Sequence, residues 1–337
     1  MGIKSNFNTF LKSNTTDCYQ DVHISSFAFK QIAIDTTLYL YKYKAVYGQN
    51  WLYPFLMMIS IFRKYHVHIV FIFDGPAPIE KQSEQLRRRE EKKKLILKVD
   101  RLQQDYDIFI KTSELSDNLQ ILNLPSDQIK SYIEKRRSQI IDIFPSDFEQ
   151  LKNMFTTFQI PWIVSYTEAE KYASQLCLEG KVIAVVSDDT DILAYQCPIA
   201  ISNLNIYTGN CTVVNFDEII NQLGFTKTRW VDFCIMCGND FNLNIPNLGA
   251  SKSFKLLTLY KSIENIGRMT SIPIELLKYK RTREIFTIFL EDTVDQVPFC
   301  GSVTTKVLND FVLSNRIIVV YDLIYFCIGN KIQINFI

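Results

Sequence analysis

The sequence predicts an α/β protein built on a mostly parallel, doubly wound sheet. Four short segments are continuous apolar runs rich in Val, Ile and Phe, which is typical of strands buried on both faces of a parallel sheet: residues 31–34, 67–73, 161–164 and 181–186. Segments with helical periodicity separate these runs, and such alternation is typical of a doubly wound sheet. A chain of 337 residues is long enough to build a substantial core around it.

A long charged segment separates the second predicted strand from the third. Between residues 80 and 104, Lys and Arg side chains alternate with Glu84, Glu90 and Glu91 at helical spacings, which predicts a long solvated helix. Two later Pro-Ser-Asp sequences, beginning at Pro125 and Pro145, predict helix starts that are capped by Ser or Asp. The insertion at 79–143 is too long for an ordinary crossover loop, and excursions of this length are usually functional or mobile.

The composition excludes several classes of protein. Hydrophobic residues make up 47% of the chain, yet no apolar run is long enough to span a bilayer, and the N-terminal residues lack the apolar core of a signal peptide. We therefore expect an intracellular protein with no membrane partner, and interpret its 8 cysteines as reduced core residues. Cys234 and Cys237 have a zinc-like or redox-like spacing but no matching second pair, which favours helix packing.

Acidic residues follow each of the four predicted strands. Asp35 follows the first strand, Asp74 the second, Glu168 and Glu170 the third, and Asp188-Asp189-Thr190-Asp191 the fourth. Each acid alone has an ordinary interpretation as a turn residue, a helix-start charge or a solvated loop residue. Because ligands of open α/β sheets bind beyond the carboxyl ends of the strands, the recurrence at four strand ends favours one shared site.

Carboxylates gathered at one edge of a sheet repel each other unless a cation compensates their charge. Mg²⁺ prefers oxygen ligands and is the usual choice beside phosphates. Two such ions would clamp the attacking and leaving oxygens of a phosphodiester, so the acids predict a metal-dependent phosphodiesterase site.

In their order and spacing, these motifs resemble the flap endonuclease/XPG-type 5′ nucleases, from Met1 to about Ile266. The matching motifs are Ile32-Ala33-Ile34-Asp35, Phe71-Ile72-Phe73-Asp74-Gly75, Glu168-Ala169-Glu170, Asp188-Asp189-Thr190-Asp191, Val231-Asp232-Phe233-Cys234 and Gly238-Asn239-Asp240. The resemblance implies a PIN-like fold with a helical arch and a helix-two-turn-helix region. It also implies an Mg²⁺-dependent enzyme with two ions, replaceable by Mn²⁺, that cuts DNA at 5′ flaps or single-/double-strand junctions during replication, repair or recombination.

The resemblance also assigns roles to individual residues. It implies seven metal-binding carboxylates: Asp35, Asp74, Glu168, Glu170, Asp189, Asp191 and Asp240. Lys81 and Arg88 match a catalytic basic pair, whereas Asp188 and Asp232 are interpreted as structural neighbours of the site. The implied DNA-binding residues are Gly2, Tyr41, Gly249, Ser251 and Lys252. For Tyr41, a core position beside Tyr39 is an equally open interpretation.

The resemblance divides the chain into five segments. They are two parts of the nuclease domain (1–78 and 146–240), the arch (79–145), the helix-two-turn-helix region (241–268) and a C-terminal extension with no assigned role (269–337). In the helix-two-turn-helix region, Asn247 replaces a family glycine and Ala250-Ser251 replaces a Pro-Lys pair, which puts the family's K⁺ site in question. Asn tolerates a left-handed backbone better than most residues, so the turn itself is expected to form.

The remaining expectations concern partners and location. The sequence has no recognisable sliding-clamp motif, and we expect a monomer that acts on DNA in the nucleus or at a viral replication site. The abundance of Ile, Lys, Asn, Phe and Tyr is typical of AT-rich genomes, as in some large DNA viruses, and suggests a divergent, viral member of the family.

Three alternatives to a flap endonuclease stay open at this stage. A 5′-3′ exonuclease of the same family is one, although the capped helices of the insertion favour a closed arch through which a flap could thread. A catalytically silent DNA-binding scaffold is the second, but all seven implied ligands are present. A small-molecule phosphatase is the third, and the basic insertion argues against it because a small substrate needs no such electrostatic surface.

Overall fold

The four predicted parallel strands are neighbours in a seven-stranded sheet, in a computed structural model that describes residues 2–242, 244–287 and 293–319. The strands are β1 (Tyr19–His23), β2 (Gln31–Asp35), β3 (His68–Phe73), β4 (Trp162–Val164), β5 (Ala184–Val186), β6 (Ile199–Ser202) and β7 (Asn210–Asn215). Their order in the sheet is β1-β7-β6-β5-β2-β3-β4. Neighbours from β6 to β4 are parallel, and β7 pairs antiparallel with both β6 and β1.

The sheet confirms the predicted α/β class but corrects two details. The predicted third strand, β4, is not buried on both faces, because it is the edge strand and Trp162 and Val164 are 36% and 49% exposed. Three strands, β1, β6 and β7, were not predicted. The polar β1 sequence Tyr-Gln-Asp-Val-His gives no continuous apolar run, since this strand is the opposite edge of the sheet.

Helices cover both faces of the sheet. The helices of the described chain are α1 (Phe7–Asn14), α2 (Thr36–Tyr47), α3 (Leu52–Lys64), α4 (Gln82–Thr112), α5 (Asp117–Gln120), α6 (Ser126–Arg137), α7 (Pro145–Thr157), α8 (Ala169–Leu178), α9 (Asp191–Ala194), α10 (Phe216–Leu223), α11 (Lys227–Cys237), α12 (Ala250–Tyr260), α13 (Ile263–Met269), α14 (Tyr279–Phe286) and α15 (Thr305–Ser314). No helix within the described ranges is long and apolar enough to cross a membrane.

Two apolar cores lie on opposite faces of the sheet. Because successive side chains of a strand point to opposite faces, Ala33, Val70 and Ile72 belong to the core that α8 and α11 complete. Ile34 and Phe71 belong to the core that α2, α3 and α7 complete. Cys234 and Cys237 are buried in the first core, which confirms their interpretation as packing residues of α11.

The charged insertion forms a separate helical lobe. Its first helix, α4, begins at Gln82 and continues to Thr112, well beyond the predicted end at 104. Together with α5 and α6 it encloses a small apolar core of Val99, Leu102, Leu119, Ile129 and Ile133. Beyond residue 104, Tyr106 and Phe109 pack partly buried against this core, whereas Ile108 and Ile110 are exposed.

Both predicted helix starts in the insertion are confirmed, but only one is capped as expected. Asp147 Oδ2 accepts a hydrogen bond from Phe144 N at 2.6 Å at the start of α7. At the start of α6 the N-cap residue is Pro125, and no side chain caps this end, so the expected Ser or Asp cap is wrong there.

The segment 238–249 connects α11 to α12, and these two helices pack against each other. Asn247 in this connection has φ +60°, the left-handed conformation expected for it. The C-terminal extension is integrated into the fold: α14 packs on α11, and Cys300 N donates to His68 Nδ1 at 3.1 Å at the start of β3. Residues 288–292 and 320–337 of the predicted extension lie outside the described residues.

Candidate active site

The acids that follow β2 and β3 are held by backbone and side-chain hydrogen bonds. Asp35 ends β2 and caps α2, where its Oδ1 accepts from Leu38 N at 3.3 Å and its Oδ2 accepts from Ser187 Oγ at 3.2 Å. Asp74 follows β3, and its Oδ1 accepts from Ala169 N at 2.8 Å. Since Ala169 is the first residue of α8 and Ser187 follows β5, these contacts join four strand ends at one edge of the sheet.

The N-terminal residues contact the acidic motif that follows β5. Asp189 Oδ1 accepts from Asp191 N at 3.1 Å, and Ile3 N donates to Thr190 Oγ1 at 2.7 Å. Gly2 has φ +88°, and a Cβ atom there would overlap Asp189 Oδ1 and Thr190 Oγ1. A glycine is needed at position 2 both for its backbone conformation and for this close approach.

The pKa values of these acids show how closely they are crowded. Burial raises the pKa of Asp35 to about 8, and the nearby carboxylate of Asp74 adds to the rise. Burial also raises the pKa of Glu170 and of Asp191, and here too neighbouring carboxylates contribute: Asp35 and Asp74 for Glu170, and Asp189 for Asp191. Desolvation and like charge both disfavour the ionised form, so this cluster requires a compensating cation to be fully ionised at neutral pH.

Both side chains of the predicted catalytic pair, Lys81 just before α4 and Arg88 on α4, reach into the cluster from the base of the helical lobe. Arg88 Nη2 lies 2.7 Å from Asp240 Oδ2, and Lys81 Nζ lies 3.7 Å from the same oxygen. Lys81 also forms a short ion pair with Glu168. Burial by itself would lower the pKa of Lys81, but the carboxylates, above all Glu168, outweigh it and raise the pKa.

Two acids of the quoted motifs have partners outside the carboxylate cluster. Asp188 forms an ion pair with Lys42 at 2.7 Å and accepts from Asn203 N at 2.8 Å. Asp232 is almost completely buried and is held by Arg283 of α14 through contacts of 2.6 and 2.8 Å. These partners agree with the structural roles expected for both acids.

The predicted DNA-binding residues lie outside the carboxylate cluster, apart from Gly2. Tyr41 is 42% exposed on α2 whereas Tyr39 is buried, so the alternative that placed Tyr41 in the core is wrong. Gly249, Ser251 and Lys252 lie at the start of α12 and line an open groove of about 450 Å³ between α1 and α12.

Four residues of the site were missed in the sequence. Tyr195 donates to Glu168 Oε2 at 2.8 Å, and Ser187 donates to Asp35. Glu84 pairs with Arg88 at 3.0 Å, and Lys4 lies near both Glu84 and Asp240. Only Glu84 carries a local signal, because it precedes Arg88 by one helical turn on α4.

The donor atoms suit a hard divalent cation. Oδ1 of Asp191 and Oδ1 of Asp240 are buried and accept no hydrogen bond from the described residues. Across those same residues, no three His, Cys, Asp or Glu side chains form a ready metal cage, and Lys81 and Arg88 instead contact the carboxylates. Mg²⁺ retains several waters and usually takes only one or two carboxylates directly, so an all-oxygen cluster without a closed cage fits its chemistry.

Comparison with known proteins first defines the class. The fold is similar to that of the catalytic core of Rad2, with a TM-score of 0.66 at 14% identity over 98% of this chain and all of that one. It is also similar to flap endonuclease-1 from Methanococcus jannaschii, with a TM-score of 0.61 at 17% identity over 92% of this chain and 93% of that one. The chain therefore shares the fold of these two structures.

Sequence comparison then identifies the family. The XPG N-terminal domain matches residues 1–95 and the XPG I-region matches residues 159–240. Probable RAD2-like endonuclease 369L of Invertebrate iridescent virus 6 is 28% identical over 88% of this chain and 82% of its own length. Probable RAD2-like endonuclease 076L of Invertebrate iridescent virus 3 is 29% identical over 93% of this chain and 93% of its own length. Flap endonuclease 1 of Cryptosporidium muris is 27% identical over 85% of this chain and 62% of its own length. The chain belongs to the XPG-type flap endonuclease family.

Proposed function

We propose that the protein is an Mg²⁺-dependent structure-specific nuclease that cuts DNA at 5′ flaps or single-/double-strand junctions. The observation that carries this proposal is the gathering of acids from four strand ends, close enough for Asp74 to raise the pKa of Asp35 and for both to raise that of Glu170. We assign metal binding to Asp35, Asp74, Glu168, Glu170, Asp189, Asp191 and Asp240. Bound divalent cations would compensate these charges and lower the pKa of a bound water.

In this proposal, the chain's own cations act on the phosphate. Lys81 and Arg88 are held beside Glu168 and Asp240 and project from the base of the arch, so a phosphate entering the cluster meets both. A planar guanidinium and a compact ammonium would neutralise charge that develops on the scissile phosphate. Glu84 accepts from Arg88 Nε at 3.0 Å and from Arg87, and fixes the orientation of the Arg88 guanidinium.

The helical lobe supports a substrate with a free 5′ strand. Lys92 of α4 forms an ion pair with Asp142 at 2.6 Å, and Lys44 of α2 contacts Asp142 O and the Asp147 carboxylate. The chain leaves the rest of the protein at Lys81, and these contacts attach it to α2 again just before α7. A lobe that is attached to the rest of the protein at both of its ends favours threading of a single strand, and hence flap cutting. An open groove would instead accept any duplex end.

Duplex DNA would be held at the start of α12. Lys252 is exposed there, and the positive end of the helix dipole favours phosphate. Exposed Tyr41 on α2 would stack on a base near the cut. The viral endonuclease relatives support an intracellular, DNA-associated location, and action at replicating DNA is part of the proposal. A monomeric state stays a prediction.

The test compares 5′-flap, nicked and blunt duplexes, with labelled 5′ ends, in Mg²⁺, in Mn²⁺ and in EDTA. We expect metal-dependent cutting with the flap preferred. Asp189→Ala should abolish cutting while DNA binding persists or tightens, because a negative charge near phosphate is removed. Asp188→Ala is the matched control: this neighbouring carboxylate is paired with Lys42, so its loss should leave most of the activity.

The outcomes separate the candidate functions. Wild-type cutting by Asp189→Ala would refute the metal assignment. Preferred cutting of blunt ends from the 5′ terminus would show an exonuclease, and tight binding without cutting in any metal would show a silent scaffold.

A further inference from the structure

A third cation, Lys4, lies against the candidate active site, in a segment that contacts the start of α12. Its Nζ atom is 3.9 Å from Asp240 Oδ1 and 3.5 Å from Glu84 Oε2. Lys4 lies in the segment between Gly2 and the start of α1 at Phe7.

The backbone on both sides of Lys4 is fixed to three parts of the protein. Ile3 N donates to Thr190 Oγ1 at 2.7 Å, within the acidic motif after β5. Lys4 N donates to Gly238 O at 2.9 Å, two residues before Asp240. Ala250 N, at the start of α12, donates to Ser5 O at 3.4 Å. The segment therefore runs from the carboxylate cluster to the helix that we propose holds duplex DNA, and Lys4 is positioned between the two.

The ammonium group of Lys4 is available for a ligand. Both of its ion contacts are longer than the 2.7–3.2 Å that is usual for an N–H···O hydrogen bond, and the side chain is 33% exposed. The two carboxylates already have closer partners: Arg88 lies 2.7 Å from Asp240, and Arg87 lies 2.6 Å from Glu84. Arg87 is the largest of the causes that lower the pKa of Glu84 to about 2, and Arg88 also contributes. Lys4 thus adds only long contacts to two acids that already pair with closer arginines.

We propose that Lys4 binds a phosphate of the cleaved strand on the duplex side of the scissile bond. The inference rests on the proposed nuclease function and adds a residue to it. Lys81 and Arg88 contact the acids from the arch side, whereas Lys4 lies on the segment whose next residue, Ser5, accepts a hydrogen bond from Ala250 N of α12. A strand that is gripped at α12 and cut at the carboxylates has to pass over this segment. A flexible ammonium with donors to spare suits a phosphate oxygen there.

The alternative is that Lys4 only stabilises Glu84 and Asp240. The two interpretations differ in what they predict for DNA, because a phosphate contact releases counterions whereas a purely internal ion pair does not. Lys4→Gln should lower the slope of log affinity against log salt by about 0.9 for a duplex contact. Lys4→Arg should keep the slope and the affinity. Lys12→Gln is the matched control, since Lys12 is an exposed lysine of the neighbouring helix α1.

A coupling experiment locates the phosphate. Single phosphates of the cleaved strand are replaced in turn by neutral methylphosphonates, and the affinity of flap DNA is measured with Ca²⁺ in place of Mg²⁺. At one of the first duplex-side positions, we expect the neutral linkage and Lys4→Gln each to weaken binding by a similar factor and their combination to weaken it no further. Lys12→Gln and each neutral linkage should weaken DNA binding independently, so that the two factors multiply at every position.

Multiplicative effects of Lys4→Gln at every position, or an unchanged salt slope, would overturn the inference. Loss of binding in Lys4→Arg as well would show that Lys4 acts only through the fold. Coupling in a protein whose wild type fails to cut any substrate would keep the phosphate contact and refute the nuclease function alone.

Discussion

Replacing Arg283 of α14 by methionine breaks a buried ion-pair network that ties the C-terminal extension to the rest of the protein. The guanidinium contacts Asp232 of α11 at 2.6 and 2.8 Å and Glu264 of α13 at 2.6 and 3.0 Å. The Asp232 side chain is 1% exposed, and burial raises its pKa despite the arginine. Without Arg283, a carboxylate is left inside the first core with one long hydrogen bond from Ile263 N at 3.4 Å.

The size of the loss follows from this geometry. Breaking a buried ion pair by removing one partner usually costs about 3–5 kcal/mol of the free energy of unfolding. We expect the lower end, about 3 kcal/mol, because Arg283 is itself partly exposed and because an unpaired Asp232 can take up a proton instead of staying charged. The double variant Arg283→Met/Asp232→Asn has no charge left to bury, and should lose about 1–2 kcal/mol less than Arg283→Met alone.

The assay is urea unfolding of the two single variants and the double variant, analysed as a double-mutant cycle. In Arg283→Met, the folded-state pKa of Asp232 rises further above its unfolded value, so the folded state binds more protons than the unfolded state. The stability of this variant, relative to the wild type, should therefore fall as pH rises above the unfolded pKa of an aspartate, about 3.9.

A loss below about 1 kcal/mol would refute the energetic argument. The same variants also test the structural role of Asp232. If Asp232→Asn kept its stability but needed far more Mg²⁺ for cutting, Asp232 would be a metal ligand and not a structural acid.

Three further predictions concern the site and the DNA surface. Lys81→Ala and Arg88→Ala should each lower the single-turnover cleavage rate by about 10²-fold, which is the scale for losing one oriented donor. Lys93→Ala, an exposed control on α4, should mainly reduce the affinity for DNA. Equal small effects of all three variants would show that these residues form only an electrostatic surface. Lys252→Ala should weaken duplex binding uniformly across sequences and lower the salt slope by about one unit, and an unchanged slope would contradict a phosphate contact. Without metal, the stability that Asp35 contributes is fully present below about pH 4 and is lost as pH rises through its folded pKa of about 8. We expect urea titrations of the wild type to show the unfolding free energy falling between these values, and Asp35→Asn to flatten that fall.

Local sequence patterns were sufficient to predict the buried parallel strands of the sheet and the acids that follow them. β2 and β3 are buried along their whole length, so every residue of these strands has to be accommodated inside the protein and the apolar run marks them directly. The direction of parallel strands then brings Asp35 and Asp74 to one edge of the sheet, whatever the rest of the chain does. The edge strand β1 gave no such signal, because it is half exposed and its side chains are not constrained to be apolar. The other edge strand, β4, was predicted from its apolar run, but the run wrongly indicated burial on both faces.

Only the tertiary structure decided which charges meet at the candidate site. Arg88 and Asp240 are 152 positions apart, and Lys81 and Glu168 are 87 apart, so no periodicity of the sequence relates them. Lys4 joins them because the backbone of its segment pairs with Gly238 and Ala250, and Arg283 reaches Asp232 because α14 packs on α11. Burial and sheet direction act on each residue through its neighbours in the chain, and can be read locally. Ion pairing acts between whichever residues the packing of distant segments brings together, and is therefore visible only in the folded protein.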